Sequence, residues 1–234
     1  AATDQQRKDG RVNALQPLSV AILAGGQSRR MGRDKALLDV GGRALIEHVI
    51  ERARPVASEI MLIASDRPAY ARFGLRVVPD RYPQSGALGG IYTAIAEAEY
   101  HHCLVLACDM PFVNTDLLRY MASVPRDYDV LVPSLAPERS TQGERETLET
   151  LHAIYGKTCL PAIERQLQEG ILKVIGFFSQ VRVERIPEEV VRQYDPNLLS
   201  FYNANTPEEY EWVRRRYAGD GPEETGDPVE GSPE

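Results

Sequence analysis

Cysteine is scarce: only Cys103, Cys108 and Cys159 occur in 234 residues, and no two stand in a CxxC pair. That spacing suits neither a zinc cage nor a disulfide framework. The three thiols read as buried groups in a reducing compartment. Long apolar runs are missing too. None reaches the roughly 18 residues of a membrane span, and the N-terminus is polar, without the apolar core of a secretory leader. The chain is therefore expected in the cytoplasm, away from membranes. Positive charge is not in excess: the net charge is -7. That argues against a general DNA or RNA binder but leaves room for a local basic pocket. Neither GxxxxGK(S/T), the P-loop, nor GxGxxG, the dinucleotide fingerprint, occurs. No convincing Ser/His/Asp or Cys/His constellation points to a covalent nucleophile.

What is present fits one α/β domain. Hydrophobic residues make up 43% of the chain, enough for a core without staples. Residues 1–16 are polar, and residues 218–234 are acidic and rich in Gly and Pro. Such segments cannot offset the entropy of ordering and are expected to be disordered tails, which leaves a domain over 17–217. Inside it, strand-like runs at 18–24, 59–64, 76–78, 102–107, 130–132 and 182–186 alternate with helical patterns. The helices are expected over 44–53, from the glycines of 85–90 to about Glu99, from Asn114 or Thr115 to Met121, over 157–169 ending at Gly170, and over 207–217. This alternation implies a mostly parallel sheet covered on both faces. Ligands of such sheets bind beyond the carboxyl ends of the strands. The segment 134–149 is polar and reads as a mobile loop. His101 and His102 are expected on opposite faces of a strand, a poor joint metal site.

Three features converge after the first strand, in the run from Leu23-Ala24-Gly25-Gly26 through Arg29 and Arg30 to Asp34-Lys35. Glycines admit a close backbone approach. Successive N–H groups make an anion-binding concavity. Arg29, Arg30 and Lys35 offset phosphate charge. A plain strand-to-helix turn with solvated charges explains the glycines alone but not the basic cluster beside them. A second carboxylate position stands out at the end of the apolar run Leu104–Cys108: Asp109. It could be a helix cap, half of a salt bridge, or a ligand for Mg²⁺, which takes one or two protein oxygens together with substrate phosphates and water.

The pattern LAGGxSxRMGxDKxLL over 23–38 resembles the molybdenum cofactor guanylyltransferases, the MobA-like proteins. More widely, it resembles nucleotidyltransferases that make activated sugars, cytidylated terpenoid precursors and dinucleotide cofactors. Six further segments are similar to the family's in order: Ile63–Arg67, Val78-Pro79-Asp80, Gly86–Ile91, Cys108–Phe112, Leu151–Tyr155 and Asn203–Glu209. The resemblance covers most of the folded body. It implies a three-layer α/β sandwich with a mostly parallel, Rossmann-like sheet of the nucleotide-diphospho-sugar transferase type. It further implies transfer of GMP from GTP to molybdopterin, with Mg²⁺ as cofactor and transient contact with proteins that deliver the cofactor or receive it.

By the same resemblance, Leu23, Ala24, Gly25 and Gly26 line the nucleotide through backbone groups, Lys35 and Arg29 neutralise phosphate, and Asp109 holds Mg²⁺ with Asn205 as second oxygen ligand. Asn205 is alternatively an N-cap for the helix after Pro207. Asp80 resembles a family residue near the nucleotide, or is a turn aspartate before Arg81. Asp66 stands where the family usually has Asn. Gly-Gly after Leu-Ala accompanies GTP use, whereas Ala-Ala-Gly relatives use CTP. Arg139, Arg145 and Lys173 are candidate contacts for the acceptor. The chain departs from the family at Ala87 and Thr150, both usually Pro, and at Ser65-Asp66, usually Ala-Asn. The rival readings are cytidylyl transfer to molybdopterin, a sugar-phosphate acceptor, and a non-catalytic molybdopterin or nucleotide binder.

Overall fold

The apolar run after Pro17 forms the central strand β1 (Ser19–Leu23), whose first four residues are buried. A strand with no polar alternation must be covered on both faces. The computed structural model describes residues 16–24, 34–65, 67–136 and 146–219. The expected tails lie outside the described residues except for their inner ends, as do Gly25, Gly26, Arg29, Arg30, Asp66, Arg139 and Arg145.

β1 pairs in parallel with β4 (Glu59–Ile63) on one side and with β6 (His102–Ala107) on the other. β4 carries β5 (Arg76–Val78), also parallel. Beyond β6 the direction changes. β9 (His152–Gly156) runs antiparallel to β6 and to β7 (Val130–Leu135), and β10 (Val183–Pro187) closes the edge parallel to β7. The order is β5-β4-β1-β6-β9-β7-β10, with β8 (Thr147–Leu148) against β7. Alternate residues of β1 serve the two faces, as the period of two requires. Val20 and Ile22 pack with α1 (Leu45–Ala53) and α4 (Thr115–Ser123). Ala21 packs with α3 (Gly86–Glu97) and α5 (Leu160–Gln168). The result is a three-layer sandwich with a mostly parallel core. No helix among the described residues is long and apolar enough to cross a membrane.

Several local features differ from the sequence expectation. The glycine-rich stretch before α3 is not a separate loop: Gly86 opens the helix, and Gly89 and Gly90 lie within it. A two-residue hairpin joins β2 (Asp39–Val40) to β3 (Arg43–Ala44), with Gly41 and Gly42 both at positive φ, as a primed turn requires. The segment expected to be a loop over 134–149 is partly strand: Ser134 pairs with Leu148 and Leu135 with Thr147. Pairings of two residues are too short to show periodicity. His101 and His102 are not placed on opposite faces. β6 starts at His102, His101 sits in the preceding bend, and the rings meet edge to face at 4.8 Å. His102 is half-buried, and burial lowers its pKa to about 4. Burial raises the pKa of all three thiols, Cys159 to about 12, which disfavours the reactive thiolate.

His152, the first residue of β9, is fully buried. Its ring lies 5.0 Å edge-on from Phe201, and neither ring nitrogen finds a hydrogen-bond partner among the described residues. Loss of water lowers its pKa to about 3. The unfolded chain, near the ordinary value, therefore takes up the proton first as pH falls. The stability tied to the neutral ring is full above about 6.5 and is lost on acidification toward about 3. Chemical denaturation across pH 7 to 4 should show an acid limb to which His152 adds up to about 1.4 kcal/mol per pH unit. His152→Leu should lower the slope of this limb, leaving the parts due to His102 and His48, whose pKa values burial also lowers. An unchanged slope in that variant would refute the assignment.

Candidate active site

The chain leaves β1 for β4 and β5 on one side, then returns to β6 on the other. Such a reversal opens a crevice at the carboxyl ends of the two strands beside it, where doubly wound sheets bind ligands. Here those ends are Leu23-Ala24 and Ala107-Cys108-Asp109. They are stitched together: the Cys108 N–H donates to the Leu23 carbonyl at 3.2 Å. Ala24 donates to the Ile63 carbonyl at 2.9 Å, so its N–H is spent on extending the sheet. Leu23, half-buried, contributes shape at the crevice floor.

Lys35 opens a short 3₁₀ turn, Lys35–Leu37, capped by Asp34, whose carboxylate accepts from the Ala36 N–H. The Lys35 ammonium donates to the Asn205 side-chain oxygen at 3.1 Å. Asn205 in turn follows Ala204, whose N–H donates to the Asp109 carbonyl at 3.0 Å. Three distant stretches of sequence thus place Lys35, Asp109 and Asn205 in one cluster. Asp109 is half-buried and makes no ion pair among the described residues. Loss of water raises its pKa, Lys35 nearby opposes the rise, and Glu209 adds to it.

Asn205 is not the N-cap of α7 (Pro207–Ala218). Thr206 fills that role, accepting from the Glu209 N–H, while the Glu209 carboxylate accepts from the N–H groups of Asn205 and Thr206. This is a capping box, and it leaves the Asn205 side chain to face Lys35. The start of α7 is pinned to the Asp109 turn by aromatic packing. Phe112 stacks on Tyr217 at 5.3 Å and meets Trp212 edge-on at 5.5 Å, while Tyr202 lies 4.5 Å from Trp212.

Asp80 is held in a turn: its Oδ1 accepts from the Tyr82 N–H at 2.8 Å and the Thr93 hydroxyl at 2.9 Å. The glycines of α3 have separate reasons. A side chain at Gly89 would meet the Tyr82 backbone oxygen at 2.4 Å, and one at Gly90 would meet the Leu23 Cδ1 at 2.9 Å. Lys173 is exposed after α5. That helix follows a turn whose Lys157 N–H bonds the His101 carbonyl at the amino end of β6. Two residues escaped the sequence reading. Glu149, half-buried just before β9, has its pKa raised by loss of water alone; submerged in a polar segment, it gave no signal. Tyr70, buried on α2 (Arg67–Tyr70), reaches the Ala24 carbonyl at 3.1 Å and the Asp34 carboxylate at 2.7 Å. Nothing in the run Arg67–Arg72 marks it in the sequence.

A lysine and a desolvated carboxylate facing one crevice, at the switch point of a mostly parallel sheet, define a nucleotide-handling α/β protein. Residues 20–183 match the MobA-like NTP transferase domain. A protein of Pelotomaculum thermopropionicum named "probable molybdenum cofactor guanylyltransferase" is 42% identical over 80% of this chain and 86% of its own. The molybdenum cofactor guanylyltransferase of Desulfosudis oleivorans is 32% identical over 81% of this chain and 91% of its own. Among solved structures, molybdopterin-guanine dinucleotide biosynthesis protein A from Archaeoglobus fulgidus superposes with a TM-score of 0.71 at 27% identity, covering 86% of this chain and 99% of that one. The chain belongs to the MobA-like NTP transferase family.

The two glycines of α3 should behave differently when replaced. Gly89→Ala drives a methyl into backbone and should cost about 1–3 kcal/mol in chemical denaturation. Gly90→Ala meets only the end of the Leu23 side chain, which can turn away, and should cost less than about 1 kcal/mol, part of it offset by helix propensity. Equal losses in the two variants would contradict this packing.

Proposed function

We propose that the protein transfers GMP from GTP to the phosphate of molybdopterin, giving the guanine dinucleotide form of the cofactor and pyrophosphate. The observation that carries this reading is the meeting of Lys35, Asp109 and Asn205 at the switch point, in a chain whose relatives bear that activity in their names. An oxygen of the acceptor phosphate attacks the α-phosphorus of the nucleotide. The new P–O bond forms as the bond to the β-phosphate bridging oxygen breaks, and that electron pair leaves with pyrophosphate. A phosphate monoester is already anionic near neutral pH, so no side chain has to remove a proton. This agrees with a site built for positioning and charge rather than for acid–base work.

Each residue then has a task. Lys35, held by one neutral amide oxygen, exchanges it for phosphate oxygens when the triphosphate enters. Arg29 adds a second positive charge from the segment outside the described residues, and Gly25 and Gly26 admit the purine edge, the basis for choosing GTP over CTP. The site fits Mg²⁺. The Asp109 carboxylate lacks an ion pair among the described residues, and the Asn205 oxygen lies in the same cluster. Among the described residues no three His, Cys, Asp or Glu side chains gather as a cage, so such an ion would share its ligands with substrate phosphates. When bound, magnesium neutralises charge on the triphosphate. We further place the reaction in the cytoplasm, with the acceptor handed over and passed on by transient contact with other proteins of cofactor biosynthesis and use. Lys173 is the described candidate for the acceptor side.

The experiment is incubation of the purified chain with molybdopterin-loaded carrier protein, magnesium and each nucleoside triphosphate in turn, with mass analysis of the product and assay of pyrophosphate. The guanine dinucleotide should form. A cytosine product, or nucleotide binding without pyrophosphate, would replace this reading by one of its rivals. Lys35→Ala and Asp109→Ala should each lower turnover about 10²–10³-fold, the scale for removing one preorganised charge. Near-normal turnover in either folded variant would remove that residue from the mechanism.

A further inference from the structure

We propose that Tyr70 is a positioning residue for nucleotide transfer: its hydroxyl ties the end of β1 to Asp34 and so fixes where Lys35 meets the triphosphate. The proposal rests on the reading of Lys35 as the phosphate-binding cation. Tyr70 is 1% exposed. Among the described residues its single hydroxyl proton has two acceptors, the Ala24 carbonyl at 3.1 Å and the Asp34 Oδ2 at 2.7 Å. The charged, closer acceptor takes the larger share, and bonds of that kind are about twice as strong as neutral ones. The other Asp34 oxygen, Oδ1, accepts from the Ala36 N–H at 3.1 Å and starts the turn that carries Lys35. Both oxygens of one carboxylate are thereby committed. One is fixed by the turn that presents Lys35, the other by a side chain anchored in the core.

Ala24 and Asp34 are the residues that flank the glycine and arginine segment 25–33. Through Tyr70 they are brought within two hydrogen bonds of each other. The chain of contacts continues from Asp34 to Lys35 and on to Asn205. A purely structural tyrosine needs its ring buried and its hydroxyl satisfied. The ring requirement is met beside Phe73, with centroids 6.1 Å apart. It does not require that the hydroxyl be satisfied by the residue preceding the lysine. Preorganisation does require it, because small misplacements of a charged group cost rate steeply.

The test uses the full chain and two variants. Tyr70→Phe removes only the hydroxyl. Asp34→Asn keeps an oxygen for the Ala36 N–H but removes the charge. GTP affinity with magnesium is read by calorimetric titration, folding by thermal denaturation, and the steady-state KM for the molybdopterin acceptor separately. Tyr70→Phe should weaken GTP binding about tenfold, the worth of one hydrogen bond to a charged group. Its midpoint should shift by only a few degrees, and the acceptor KM should stay at the wild-type value. The double variant should lose no more GTP affinity than the worse single one, since both act through one contact. A folded Tyr70→Phe chain with wild-type GTP affinity and turnover would overturn the proposal. So would a parallel rise in both substrate constants, the mark of general loosening. If Tyr70→Phe does not fold, Asp34→Asn decides alone: wild-type GTP affinity there refutes the link. Failure of the functional reading looks different, because then the wild-type chain itself binds no GTP, and the proposal falls with it.

Discussion

A carboxylate at the end of a buried strand, half out of water and without an ion pair among the described residues, is the costly feature around which Lys35, Asp109 and Asn205 are arranged. Asp109 reaches that position because β6 is apolar and buried from Cys103 to Ala107 and so runs into the core to its last residue. The parallel pairing of β6 with β1 then sets its end beside Leu23 and Ala24, in a register fixed from Ser19 against Cys103 to Leu23 against Ala107. Burial pushes the carboxyl toward its neutral form, and the opposing influences are the backbone N–H of Asp109 and, after it, the charge of Lys35. A buried carboxylate is costly unless it is paired or hydrogen-bonded, and on the proposed reading a magnesium-bound triphosphate would supply that pairing.

The elements most legible in the sequence are those whose apolar period is unambiguous. β5 and β6 have the boundaries their runs imply, and Gly170, at positive φ, closes α5 as a C-terminal glycine should. The capping box of α7 was written in Thr206 and Glu209, yet the adjacent Asn205 drew the attention because both types cap helices. β9 was visible only as a short motif. Its residues are buried on both faces and give no alternation. β2, β3 and β8 are two residues each, below the length at which any period exists.

The site was legible where a residue's type is its function and illegible where its partner is. Lys35 and Asp109 stand out as charges next to apolar strands. Tyr70 does not, because a tyrosine among apolar neighbours is the ordinary composition of a core. Only the three-dimensional meeting of its hydroxyl with Asp34 gives it another meaning. The partner of the Ala24 N–H is likewise invisible in the sequence: the sheet extends one hydrogen bond beyond its last strand residue and takes that donor.

The C-terminal helix makes the site depend on the whole chain. Asn205 and Glu209 enter the cluster from a segment about 95 residues beyond Asp109, and nothing in the sheet pairs with it. What holds it is side-chain packing: Phe112, next but one to Met110 in the Asp109 turn, is clasped by Tyr202, Trp212 and Tyr217. The Tyr217 hydroxyl donates to the Pro111 carbonyl at 2.8 Å, and Tyr210 bonds the Asp39 carbonyl near the turn that bears Lys35. One aromatic cluster therefore links the carboxylate turn to the lysine turn through α7. Aromatic pairs add roughly 0.5–1.5 kcal/mol each beyond their buried area, which helps to hold a helix half of whose residues are charged. The single tryptophan sits inside that clasp, so it reports on the assembly of the site and not merely on the fold of the sheet.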